Sequence, residues 1–162
     1  MLCLQGAPCA PGEGHAAGRA LLRSMYEAYT QKPMPAIAAT QRGKPYFPGD
    51  GLHFSISHTR SHVFCVLSDR PVGIDAEELD RRISLPLADK ILSPLERGQY
   101  EAAADKRLAL LTFWVLKEAQ AKCTGDGLRG YPNHTAFSLE DSRVFHKDGC
   151  VIAVIEEDDH AL

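Results

Sequence analysis

Between residues 15 and 30, Ala20, Leu21, Met25 and Ala28 recur at the spacing of a helix, and Pro33 and Pro35 close the segment. A turn follows at Arg42-Gly43-Lys44-Pro45. The period then changes. Residues 53–57 alternate polar and apolar, 63–67 are almost wholly apolar, and 72–77 run out into a charged loop, so three short strands are expected there. Ser93-Pro94-Leu95-Glu96 has the form of a capping box with proline at the first helical position, which starts another helix. The strongest helical pattern covers 107–123 and stops at Gly125 and Gly127. Two or three strands are expected to finish the chain, at 136–139, 143–146 and 150–156, with a turn at Lys147-Asp148-Gly149.

Helix, strands, helices, strands is the order of an α+β fold with antiparallel sheet and one long helix. A break near residue 78 divides the 162 residues into halves 1–77 and 78–162, each with helix and strands. At 44% hydrophobic residues the chain can bury a core. A net charge of −3 argues against a general nucleic-acid binder, which carries a basic face, but leaves room for a local phosphate pocket. Cys3, Cys9, Cys65, Cys123 and Cys150 are odd in number and form no C-x-x-C pair, which excludes zinc-site spacing and suggests reduced thiols. Residues 1–14 lack the cationic start of a signal peptide, and the apolar run 108–116 is too short to span a bilayer. A soluble, cytoplasmic protein with no membrane partner is expected.

Asp75 and Glu77 stand two apart at a strand end, where they share a face and can address one hard cation; a plain polar strand end is the ordinary reading. In the long helix Glu118 and Lys122 are four apart, with Trp114 one turn earlier on the same face. Such a pair is usually a solvated surface contact. Here it sits among Phe113, Trp114, Val115, Leu116 and Ala119, where a charge is costly without a partner. Ser57-His58 ends a strand without the Gly-x-Ser-x-Gly elbow of a hydrolase, which leaves a hydrogen-bonded histidine or a phosphate contact. Gly43-Lys44-Pro45 is a cationic turn without the P-loop pattern, and Arg19 alone reads as a surface arginine.

Taken in order, Gly-Lys-Pro at 43–45, Phe-Ser-Ile-Ser-His at 54–58, Val-Gly-Ile-Asp-Ala-Glu at 72–77 and Phe-Trp-Val-Leu-Lys-Glu-Ala-Gln-Ala-Lys at 113–122 resemble the 4′-phosphopantetheinyl transferase superfamily. The last two segments match its signature, G-I/V-D and then W-x-x-K-E-x-x-x-K after a gap of roughly forty residues. The mid-chain position of G-I-D resembles the longer, surfactin-synthetase-activating type, a pseudo-dimer of two similar packed α+β halves with the site between them. In two respects the chain departs from that type. Ser55 stands where the family often has asparagine, and no lysine or arginine precedes Arg19, where longer members carry a strand and a basic segment.

The resemblance implies a transferase of the holo-acyl-carrier-protein synthase kind. It would move the phosphopantetheine arm of coenzyme A to a serine of an apo acyl or peptidyl carrier protein in fatty-acid, polyketide or nonribosomal-peptide synthesis, releasing adenosine 3′,5′-bisphosphate. It implies Asp75, Glu77 and Glu118 as ligands of Mg2+, or of Mn2+. Glu118 and Lys122 are the implied catalytic residues, the proton acceptor being Glu118 or a metal-bound water. Arg19, Lys44, Pro45, Ser57, His58, Lys117 and Lys122 are the implied coenzyme A contacts. Two other outcomes would use the same residues: a metal-dependent phosphohydrolase, or a module that binds coenzyme A or a carrier without turnover. Arg81, Arg82, Lys106 and Arg107 are the cations available to an acidic carrier, and solvated surface charge is their ordinary reading.

Overall fold

Two strands are apolar on both faces, and this decides the layering. In the computed structural model, which describes residues 1–128 and 136–157, these strands are β5 (His62–Ser68) and β8 (Cys150–Glu156). Each is the centre of a three-stranded antiparallel sheet. The first has the order β1 (Leu2–Pro8), β5, β4 (His53–His58), and the second β6 (Val72–Glu78), β8, β7 (Val144–Lys147). Cys65 and Leu67 of β5 meet Leu22, Met25 and Tyr26 of helix α1 (Gly14–Thr30), while Phe64 and Val66 point the other way. They join Val72, Ile74, Cys150 and Ile152 in a cluster between the sheets. Val151, Ala153 and Ile155 of β8 pack on helix α4 (Lys106–Thr124) through Leu110, Phe113, Leu116 and Ala119. The order of layers is helix, sheet, sheet, helix, in two halves of the same kind.

The α+β class with antiparallel sheet stands. The strand β6, which a division at residue 77 assigns to the first half, is hydrogen-bonded into the second sheet, from Val72 opposite Glu156 to Glu78 opposite Cys150. Its Gly73 allows α4 to come close: a Cβ there would lie 2.0 Å from the Ala119 carbonyl oxygen. No side chain fits that approach.

Residues 2–8, for which the pattern predicts nothing, form β1 in full register with β5. A two-residue ladder joins β2 (Ala38–Ala39) to β3 (Pro45–Tyr46) across the Arg42–Lys44 turn. Residues 136–139 are not the strand expected from their alternation. Side chains of helix α3 (Pro94–Ala102), which follows the short helix α2 (Ala88–Ile91), take their backbone groups instead. Gln99 accepts from Leu139 N at 2.9 Å and donates to Phe137 O at 3.1 Å, and Glu96 Oε1 accepts from Phe137 N at 2.9 Å.

The capping box that starts α3 is present. Ser93 Oγ accepts from Glu96 N, and Glu96 Oε2 accepts from Ser93 N at 2.7 Å. Gly125 ends α4 in the left-handed conformation. Among the described residues no helix is long and apolar enough to cross a membrane.

Candidate functional site

The two sheets meet edge to edge along β4 and β6, through side chains. Ser55 and Ser57, two apart on β4, accept hydrogen bonds from Ile74 N at 3.1 Å and Ala76 N at 3.0 Å. The hydroxyl of Ser57 also donates to Asp75 Oδ1 at 3.2 Å. From α4, Lys122 Nζ reaches the same oxygen at 2.7 Å and the Ile74 carbonyl at 3.0 Å. The other oxygen of Asp75, Oδ2, is buried and has no hydrogen-bond partner. Burial pushes the Asp75 carboxyl above the usual carboxylate range, and Lys122 and Ser57 pull it back only in part.

Glu118 lies one turn before Lys122. Its carboxyl is also pushed up, by burial first and by the charge of Asp75 second, against the pull of Lys122 and Arg81. Glu77, the third predicted carboxylate, is ion-paired with Arg81 and accepts from Trp114 Nε1 at 3.2 Å. Among the described residues no three histidine, cysteine or acidic side chains stand together in an arrangement that could hold a metal ion. An orphaned carboxylate oxygen beside a second carboxyl of raised proton affinity is nevertheless a donor set that suits a hard divalent cation. Asp75 and Glu118 fit such an ion, whereas Glu77 would first have to leave Arg81.

In front of these carboxylates a cleft of about 410 Å³ runs between the halves. His15 and Arg19 of α1, Lys44 and Pro45 of the β2–β3 turn, His58 of β4, and Glu118 and Lys122 of α4 line it. The His58 ring lies over Gly14 and leaves no room for a side chain there. Lys44 donates to the carbonyl of Cys123 at the end of α4, and its stem packs on Gly125. Burial lowers the proton affinity of this amine. A cleft so supplied with basic groups, next to the buried Asp75 and the half-buried Glu118, is suited to a polyanion such as a phosphate ester.

Arg19, Lys44, Pro45, His58, Glu118 and Lys122 are thus brought together, with Asp75 just behind them. Ser57 is elsewhere, buried in the seam between β4 and β6. Lys117 is also elsewhere: it is 3% exposed, on the core side of α4, and paired with the fully buried Glu96 of α3 at 2.8 Å. Its assignment as a coenzyme A contact gives way to a structural one, because residue 117 points into the core while 118 and 122 point at the cleft. His15 was missed by the sequence reading, although it is four residues before Arg19 on the same helical face. The cations considered for a carrier are mostly engaged. Lys106 donates to Tyr100 O and Ala103 O at the end of α3, Arg107 to the carbonyls of Leu79 and Arg81, and Arg81 to Glu77.

An α+β fold with antiparallel sheets is the architecture that the motifs imply. The family model of the 4′-phosphopantetheinyl transferase superfamily matches residues 71–159, and the chain belongs to that superfamily. It is similar to the 4′-phosphopantetheinyl transferase psf-1 of Bacillus pumilus, 31% identical over 146 residues, which are 83% of this chain and 62% of that protein. It is similar also to the 4′-phosphopantetheinyl transferase HetI of Nostoc sp. strain PCC 7120, 33% identical over 122 residues, 69% of this chain and 52% of the relative. Enterobactin synthase component D of Escherichia coli K12 is 34% identical over 96 residues, 59% of this chain and 44% of its own length. The chain spans about half the length of the curated relatives it matches.

Proposed function

We propose that this chain transfers the 4′-phosphopantetheine arm of coenzyme A to a serine of an apo acyl or peptidyl carrier protein. The observation that carries the reading is the juxtaposition of the basic cleft with Asp75, whose Oδ2 is buried and unpartnered, in a chain of this superfamily. His15, Arg19, Lys44, Pro45 and His58, which line the cleft, would bind the phosphates and nucleotide of coenzyme A. Asp75 and Glu118, with Glu77 once freed from Arg81, would hold Mg2+ or Mn2+. Such an ion, when bound, neutralises charge on a diphosphate leaving group.

In the reaction the serine oxygen forms a bond to the β-phosphorus, and the bridging oxygen leaves with adenosine 3′,5′-bisphosphate. Positioning and charge neutralisation supply most of the rate of such a transfer. Glu118, which lines the cleft, would accept the proton of the serine hydroxyl. Lys122 offsets negative charge on the transferring phosphoryl group. The cysteines of the described residues are free, which suits a cytoplasmic site of action.

The test is to incubate the chain with coenzyme A, Mg2+ and a panel of apo carrier proteins from fatty-acid, polyketide and peptide synthases, and to record intact masses. A gain of the phosphopantetheine arm on one or more carriers is expected. Magnesium-dependent cleavage of coenzyme A without any carrier gaining mass would make the chain a phosphohydrolase. Coenzyme A binding with neither event would make it a binding module.

A further inference from the structure

Ser55 and Ser57 do the same work at the seam and differ in where the hydroxyl proton goes, Ser55 also lining the cleft. Each offers its hydroxyl oxygen to an amide of β6, but the proton of Ser57 goes to Asp75 Oδ1. A serine hydroxyl has one proton to donate, so with Ala76 N on its oxygen and Asp75 on its proton the group is fixed at both ends. Lys122 lands on that same Oδ1. Both partners of the carboxylate are therefore on one oxygen, and the other is bare although Asp75 is only 7% exposed. A buried carboxylate free to rotate would share its oxygens between the two donors. Here the rotation is stopped, and Oδ2 is kept clear.

We infer that Ser57 is a positioning residue that turns Asp75 so that Oδ2 faces an incoming divalent cation, and that it makes no contact with coenzyme A. The inference rests on the cation reading of the site given above. It reassigns Ser57 from the substrate, where the family resemblance puts it, to the carboxylate. Hydrogen bonds that orient a metal-binding side chain commonly set metal affinity, and their loss costs roughly 10–100-fold.

The test measures Mn2+ affinity by electron paramagnetic resonance in the absence of coenzyme A, and coenzyme A affinity by calorimetry in the absence of metal. Ser57→Ala is expected to weaken Mn2+ binding by roughly 10–100-fold and to leave metal-free coenzyme A binding unchanged. Ser57→Thr, which keeps the hydroxyl, restores the Mn2+ affinity. Ser55→Ala is the matched control, since it opens the same seam without touching Asp75, and its Mn2+ affinity stays that of the unsubstituted chain. Three results would overturn the inference: intact Mn2+ binding in Ser57→Ala, weakened metal-free coenzyme A binding in that variant, or equal loss of Mn2+ in Ser55→Ala. A chain that binds no Mn2+ before substitution refutes the cation reading itself and this inference with it.

Discussion

Replacing Lys117 by methionine separates a structural lysine from a substrate-binding one. The Lys117 ammonium and the Glu96 carboxylate lie 2.8 Å apart with side-chain exposures of 2% and 0%. Burial lowers the proton affinity of the amine, and the hydrogen bond and charge of Glu96 act against that. Methionine matches the stem in size but leaves Glu96 charged in the core. Breaking a buried pair by removing one partner costs about 3–5 kcal/mol. Glu96 keeps its bonds from Ser93 N and Phe137 N, which favours the lower end of that range. Against a total stability of about 5–15 kcal/mol this is a large fraction, equivalent to a fall in Tm of roughly 6–20 °C at ~2–4 °C per kcal/mol. Urea unfolding followed by far-UV circular dichroism measures it. The paired change Lys117→Met with Glu96→Gln should recover part of the loss, because glutamine keeps the capping box without the charge. Coenzyme A affinity of the folded variant should be that of the unsubstituted chain. A stability loss under ~1 kcal/mol, the size expected of an exposed pair, together with tenfold weaker coenzyme A binding would refute the reasoning.

Asp75→Ala and Glu118→Ala should each lower transfer to a carrier by orders of magnitude with the fold intact by circular dichroism; near-normal transfer in Asp75→Ala would refute the cation site. Lys122→Ala should reduce the rate constant more than the affinity for coenzyme A, read from single-turnover transfer at saturating coenzyme A beside a binding titration. Gly73→Ala should destabilise by about 1–3 kcal/mol or more, because its Cβ meets the backbone of α4 rather than a movable side chain; unfolding midpoints measure this. The Cys65 thiol, pushed up to about 12 by burial, should resist iodoacetamide until the protein unfolds. Its folded value lies above the ordinary 9.0, so its contribution to stability is present at neutral pH and is lost as pH rises from 9.0 to about 12, a loss that Cys65→Ala should remove.

Elements whose own side chains fill the core were legible in the chain. Helix α4, the strands β4 to β6 and β8 carry their apolar residues at the period of their secondary structure, because they pack on the faces that the period defines. The strand β1 did not announce itself, since Leu-Cys-Leu-Gln-Gly-Ala-Pro contains two breakers and no alternation. Its order comes from the β5 ladder, a partner sixty residues away in a different pattern. Residues 136–139 misled in the opposite sense. Phe137 and Leu139 alternate as in a strand, but their backbone groups are met by Gln99 and Glu96 of α3, which no local period encodes.

At the site, the spacing of Glu118 and Lys122 placed them correctly on one face. The same arithmetic sets Lys117 about 140° from Lys122, at ~100° per residue, and so away from the cleft. Motif membership had joined residues that helical geometry separates. The role of Ser57 was not legible, because it depends on which strand lies beside β4, and Asp75 is eighteen residues further along the chain.

The seam between β4 and β6 also governs how the molecule comes apart. Within each sheet, strands are joined by main-chain ladders that any sequence could make. Between the sheets, the amides of Ile74 and Ala76 are held by two hydroxyls that only particular side chains supply. Two such bonds are weaker than a ladder, so this edge is where the seam opens first, while the apolar cluster of Phe64, Val66, Val72, Ile74, Cys150 and Ile152 keeps the two sheets together. The amides of Ile74 and Ala76 would then exchange with deuterium together, ahead of the amides bonded within the ladders. Because the cleft and Asp75 lie on the same line, whatever bridges the halves there would slow that exchange, and the two amides would act as a built-in gauge of occupancy.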